Sequence, residues 1–192
     1  MWYANYSSVS TVRQAIGIGL ITIFGSLVAR SATLQQLSLD DMIAKSTAIV
    51  RGQITGSYAA RNGPVIYTFY QIQVIEQYKG TKQGSVTMAV PGGAADNLRQ
   101  TFPGAPEFNT SDQFVFFLWT GKSGLTQVIG LTQGLFKLSA AASPDPVATR
   151  EASAELMLDR GTGHPVKDQT LVMPLSKLKS HIGSKLGPSE TK

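Results

Sequence analysis

A mainly β domain, built as a small barrel or sandwich with a short N-terminal helix and a C-terminal amphipathic helix, is predicted by three observations. Between Ala48 and Leu138, β-rich runs alternate with Gly-, Pro- and Asn-containing breaks at roughly 8–12-residue spacing. Helical periodicity is confined to two short stretches near the ends, so no βαβ rhythm supports a doubly wound sheet. Of 192 residues, 42% are hydrophobic and 15% charged, which excludes disorder, collagen, coiled coil and a polytopic membrane protein.

Residues 1–31 divide as an export signal. Arg13 precedes a 15-residue apolar run from Ala15 to Ala29, and Ala29-Arg30-Ser31 offers small residues for a cut after Ser31. That run is short for a spanning helix, which needs roughly 17–25 apolar residues. A cleaved signal, a secreted or periplasmic address and no stable membrane span after cleavage are therefore expected. The formal charge of +5 falls to +3 once Arg13 and Arg30 leave. Its excess lies near the C-terminus, where lysines are expected to solvate a helix face. No aromatic–basic interleaving appears, and no nucleic-acid partner is expected.

Ser38-Leu39-Asp40-Asp41 reads as a capped helix start, with Leu39, Met42 and Ile43 on one face and an end near Lys45. Ala48–Ile54 is the first strand, and Arg61-Asn62-Gly63-Pro64 breaks the chain after it. Val65–Lys79 is the longest strand, with Ile66, Tyr70, Ile72 and Val74 on one face and Gln71, Gln73 and Gln77 on the other. At more than twice the usual strand length of about 5–6 residues it suggests a bent strand of a barrel. Gly80–Gly84 turns into a strand over Ser85–Val90. Pro91-Gly92-Gly93 stops it and opens an irregular segment to Thr110, with positive φ expected at the glycines. Gln113–Trp119 is a hydrophobic strand whose Val115, Phe117 and Trp119 are expected to face inward beside Tyr70, Ile72 and Val74. Leu125–Ile129 and Leu135–Leu138 follow as strands. Ala140–Pro146 reads as a linker, and Leu175, Leu178 and Ile182 after Pro174 form a helix that Gly183 can cap. The expected organisation is thus a signal at 1–31, a β domain at 32–139, and a linker with a helical extension at 140–192.

Little chemistry is spelled out. With no cysteine, disulfides, thiolate zinc sites and cysteine nucleophiles are excluded. The only histidines, His164 and His181, lack metal-ligand spacing and have no partner close in sequence. No catalytic motif is present, so no catalytic residue, cofactor or metal is assigned. The segment from Pro91 to Thr110 is more informative, because structureless loops beyond about 12–15 residues are uncommon unless they bind something. Its prolines restrict the unbound loop. Arg99, Phe102, Glu107 and Phe108 are the candidate contact residues, with the aromatics serving either as anchors or as a seal over one mouth of the barrel.

Ser46-Thr47-Ala48-Ile49-Val50-Arg51-Gly52-Gln53-Ile54, Ile66-Tyr67-Thr68 and Val74-Ile75-Glu76-Gln77-Tyr78-Lys79-Gly80 carry a resemblance. With Pro91-Gly92-Gly93, Gly104-Ala105-Pro106-Glu107-Phe108 and Gly130-Leu131-Thr132-Gln133-Gly134-Leu135-Phe136, they resemble a set of exported bacterial proteins without an established activity. The first strand and the Tyr78-Lys79-Gly80 strand end also resemble the netrin-like module of tissue inhibitors of metalloproteinases. That resemblance implies a closed or partly open OB-like (netrin-like) β-barrel. It does not imply the inhibitors' mechanism, which uses an N-terminal cysteine this chain lacks. The expected function is a monomeric, exported, non-enzymatic binding module that contacts a protein or a cell-envelope polymer through the 91–110 loop. The alternatives are a protease-inhibitor-like module acting without the cysteine, or an enzyme of unrecognised class.

Overall fold

The computed structural model describes residues 33–139 and 144–187. The expected export signal lies outside the described residues. The strands are β1 (Thr33–Gln35), β2 (Ala48–Asn62), β3 (Val65–Lys79), β4 (Ser85–Pro91), β5 (Gly93–Ala95), β6 (Leu98–Gln100) and β7 (Gln113–Thr120). They continue with β8 (Thr126–Val128), β9 (Leu135–Leu138), β10 (Val147–Arg150), β11 (Leu156–Leu158), β12 (Pro165–Val166) and β13 (Leu171–Pro174). The helices are α1 (Leu39–Lys45) and α2 (Leu175–Leu186).

α1 begins as its sequence dictates. Ser38 Oγ accepts from the Asp41 backbone N–H at 3.0 Å, and the Asp41 carboxylate accepts from the Ser38 N–H at 3.3 Å. β2 and β3 form a long antiparallel hairpin turned at Gly63, where φ is +62°. β2 continues to Asn62 rather than ending near Ile54. Its register shifts at Ile49/Val50, Arg51/Gly52 and Ile54/Gly56 bend it, as bulges do. Gly52 is required in the second of these: a Cβ there would lie 2.4 Å from Ile72 Cγ2.

The main sheet runs β13-β10-β9-β7-β2-β3-β4, with β8 added beside the end of β7. A three-stranded sheet, β1-β11-β12, and the β5-β6 hairpin complete the described strands. The sheet curls until β4 lies next to β8, but no ladder joins them, so among the described residues no sheet closes into a barrel. The closed form expected from the sequence is therefore not what forms. β4 and β8 are the two sides of an open seam, and the first has Pro91 at its end.

Both faces of the central sheet are buried. One face packs Met42, Ile49, Val115, Phe117, Phe136, Leu178 and Ile182 beneath the two helices. The other packs Val50, Ile54, Tyr70, Ile72, Met88, Phe116 and Leu118 inside the curl. Val115 and Phe117 thus face away from Tyr70 and Ile72, not with them, and Trp119 is 46% exposed. The run Gln113–Trp119 has no polar alternation, so it fits a strand covered on both sides and leaves its facing undetermined. Ile72 is fully buried. Ile72→Ala is expected to destabilise by about 2–5 kcal/mol in denaturant unfolding; a loss below about 0.5 kcal/mol, typical of a surface position, would contradict this packing.

Beyond residue 144 the chain adds strands as well as a helix. β10 joins the main sheet between β9 and β13. α2 runs through Gly183 and ends at Gly187, with φ +70°, because Ile182 and Leu186 on its far turn still pack against the core. That contact outweighs the roughly 1 kcal/mol helix cost of a glycine. Several of the basic residues near the C-terminus are paired: Lys179 with Glu76, Lys185 with Asp40 and Arg160 with Asp41.

Candidate functional site

The segment expected to be irregular from Pro91 to Thr110 begins with Pro91 as the last residue of β4 and is then partly a hairpin. Asp96 and Asn97, at φ +52° and +60°, turn β5 into β6, a backbone sign that Asp and Asn tolerate better than most residues. Gly92 and Gly93 have φ +109° and +135°, as their sequence context predicts. At Gly93 a Cβ would also meet Thr68 Oγ1 at 2.7 Å, so the hairpin lies hard against β2 and β3.

Residues 101–108 then cross the mouth of the curled sheet as a strap. The strap turns where the Ala105 N–H donates to the Phe102 carbonyl at 3.1 Å. It ends on Phe108, whose ring meets Tyr70, Phe114 and Phe116 at centroid separations of 4.9, 5.3 and 6.1 Å. Phe108 is thus part of the seal over the inner core. Burial there pushes the Tyr70 phenol above its ordinary value. The other three candidates are not gathered around it: Arg99 is exposed on β6, Phe102 is 37% exposed beside Gly92, and Glu107 is exposed on the strap.

On each side of the strap lies a depression, and Pro106 lines both. The smaller, about 260 Å³, occupies the seam, with Val90, Pro91, Trp119, Val128 and Leu131 around it. The other is a groove of about 360 Å³ between the strap residues Gly104–Pro106 and a facing wall, Ala152–Glu155. Its floor is Phe114, Leu135 and Thr149, with Lys137 standing over the Phe114 ring at 5.9 Å. Lys137, Thr149 and Glu151 also line a polar depression of about 710 Å³ at the strand ends, which holds Arg51 and Asp112. The two form one trough, apolar under the strap and charged at its open end. Arg51 Nε there is buried with no hydrogen-bond acceptor among the described residues.

The facing wall is fixed by an ion pair. Arg150 and Asp168, whose side chains are 4% and 1% exposed, meet at 2.7 Å. Asp168 also accepts from the Ser153 N–H at 2.9 Å, holding the wall in place. Burial by itself would raise the Asp168 carboxyl. The Ser153 and Gln169 N–H groups and the Arg150 guanidinium outweigh it and hold it below the ordinary aspartate value.

Neither histidine lines the trough. His164 is exposed in the Gly163–Pro165 loop, and His181 Nε2 lies 2.7 Å from Asp40 Oδ1, a partner that the fold brings from α1. Lys185 and His181 hold Asp40 below its ordinary value. Among the described residues no three His, Asp or Glu side chains cluster as a metal site, and no helix is long and apolar enough to cross a membrane. Sequence reasoning singled out the strap but not its facing wall. The wall residues carry no motif, and they come opposite Gly104 through Asp168, which pairs with Arg150 and accepts from the Ser153 N–H, and through Thr170 Oγ1, which accepts from the Ala152 N–H at 3.3 Å. Compared with protein-family models, with curated proteins and with solved structures, the chain finds no match.

Proposed function

We propose that the protein is an exported, non-enzymatic binding module that takes an extended stretch of a protein or cell-envelope polymer along the trough beneath the 101–108 strap. The observation that carries this reading is the groove between Gly104–Pro106 and Ala152–Glu155, mostly apolar in its surface, with Glu151 and Glu155 on one side, and opening onto Arg51 and Lys137. Such a site offers desolvation in its middle and charged groups at one end to set the ligand's direction. The fold is read as a partly open OB-like (netrin-like) barrel. That reading is supported by the approach of β4 to β8 and by the strap across the mouth. The export reading rests on the pattern of residues 1–31.

Ala152 is exposed on the groove wall, so Ala152→Arg fills the groove without disturbing the core. With the protein immobilised and a solubilised envelope fraction passed over it, retention of the bound species is expected to fall at least tenfold in this variant, about 1.4 kcal/mol. Its melting temperature should be unchanged. Equal retention by both forms, or none by either, would overturn the reading. Arg99→Ala combined with Phe102→Ala removes two exposed side chains, one on β6 and one at the start of the strap. The same tenfold loss with little change in melting is expected if the ligand reaches beyond the groove to the hairpin. A sharp fall in melting with unchanged binding per folded molecule would make that flank purely structural.

A further inference from the structure

Asn109-Thr110-Ser111 is the pattern Asn-x-Ser/Thr with a residue other than proline in the middle, the acceptor sequence for N-linked glycans on exported proteins. Of the four asparagines, Asn62 and Asn97 lack the pattern, with Pro64 and Arg99 two residues on. Asn5-Tyr6-Ser7 repeats it, but in the segment read as a removable export signal and outside the described residues. A three-residue pattern arises often by chance, so its surroundings decide its meaning.

The fold puts Asn109 where such a site must be. It lies in the connection from the strap to β7, and Asn109, Thr110 and Ser111 are all exposed. The connection is a tight turn whose backbone is satisfied from within. The Asp112 N–H donates to the Asn109 carbonyl at 3.1 Å, and the Asn109 N–H donates to Asp112 Oδ2 at 3.1 Å. The Ser111 N–H donates to the Ile54 carbonyl at 2.9 Å and the Ile54 N–H to the Asp112 carbonyl at 3.0 Å, tying the turn to β2. None of these bonds uses the Asn109 amide or the Ser111 hydroxyl, and neither group has another hydrogen bond among the described residues. Asn109 thus gives its backbone to the fold and its side chain to solvent.

We propose that Asn109 is the acceptor of an N-linked glycan, transferred from an oligosaccharide carried on a lipid pyrophosphate. Asn109 Nδ2 bonds to C1 of the first sugar as the C1–O bond to the pyrophosphate breaks. The lipid pyrophosphate leaves with that electron pair, and the amide nitrogen gives one proton to a carboxylate of the transferase. The Ser111 hydroxyl is the group by which the acceptor is recognised, and Glu107, exposed two residues before Asn109, offers a carboxylate to a basic contact. The inference rests on the export reading, because the transfer takes place on the outer side of the membrane. Ser111 and Asp112 line the charged end of the trough, so the glycan borders that end and leaves the apolar stretch open.

The test is peptide mapping of the full chain, made in its own source cells and recovered after export. Trypsin cuts after Arg99 and Lys122, and Asn109 is the asparagine of the peptide between them. In the wild type that peptide is expected to carry the added mass of a glycan. Asn109→Gln and, separately, Ser111→Ala should lower the modified fraction at least tenfold. Ser111→Thr, which keeps the hydroxyl, should retain it. Near-ultraviolet circular dichroism should show all three variants folded, since the side chains replaced are exposed. An exported chain with a bare peptide would overturn the inference and leave the export reading standing. An adduct that survives Asn109→Gln would also overturn it, by placing the modification on another residue. So would one that survives Ser111→Ala, which would mean a reaction indifferent to the pattern. A chain kept inside the cell with residues 1–31 attached would sink the export reading and the inference with it.

Discussion

Phe117→Ala is expected to cost about 3–5 kcal/mol, a large fraction of the roughly 5–15 kcal/mol that holds a domain of this kind together. Phe117 is fully buried between the central sheet and the helices, its ring 5.5 Å from that of Phe136. It packs in one cluster with Met42 of α1 and Leu178 and Ile182 of α2, so truncation opens a cavity where three elements meet. The damage should be shared: Pro174 gives α2 no side-chain cap of its own, the Ser176 N–H being held instead by Asp145 Oδ1 at 2.9 Å, and the helix is positioned by this apolar face. Denaturant unfolding followed by circular dichroism should show a lower midpoint with the slope preserved. Trp119→Ala, two residues along the same strand but at a half-exposed position, should cost much less. A loss under about 1 kcal/mol for Phe117→Ala would mean that the helix-side core is not packed as described.

Asp168→Ala is the second large effect, also about 3–5 kcal/mol, and for a different reason. It leaves the Arg150 guanidinium buried without its counter-charge, and removing one member of a buried pair costs more than the pair contributes. The ionised Asp168 is favoured in the native state, so its native value lies below the ordinary 3.8. Its contribution is therefore fully present above about pH 4 and disappears as the pH falls through the lowered native value. The stability gap between wild type and Asp168→Ala should be constant near neutrality and narrow only on strong acidification. A gap that instead closed between pH 8 and 5 would show that another group carries the effect. Because Asp168 also holds Ser153, the variant should loosen the groove wall even where it stays folded.

Much of the architecture was legible in local patterns. The capping box at Ser38 is a three-residue signal, complete in itself, and α1 begins there. Val65–Lys79 alternates through its middle, Tyr70 to Val74, and forms one strand with those bounds. The glycines after Pro91 adopt positive φ because the chain must reverse against β3. Phe108 was legible as a residue of consequence, but not whether it anchors a ligand or seals the core. An aromatic in a Pro–Gly loop serves either purpose, and only the positions of Tyr70, Phe114 and Phe116 decide it.

The sequence by itself determined where α1, α2, β2, β3, β4, β7 and β9 begin, because capping, alternation and glycine turns are interactions between residues a few positions apart. The short strands β1, β5, β6 and β10–β13 were not legible in this way, because pairing with a partner strand is what forms them. It did not determine which face of β7 looks inward, since Phe114–Leu118 are apolar without a break and either facing satisfies them. Nor did it determine whether the sheet closes, the pairing of His181 with Asp40, or the wall opposite Gly104. Each of these depends on groups that are neighbours only after the chain has curled: β4 against β8, α2 against α1, and Arg150 drawing Asp168, with Ser153, across from the strap. Contacts between residues so far apart in sequence leave no periodic trace along it, so the strap was legible in the sequence while the wall that completes the site belongs to the tertiary structure.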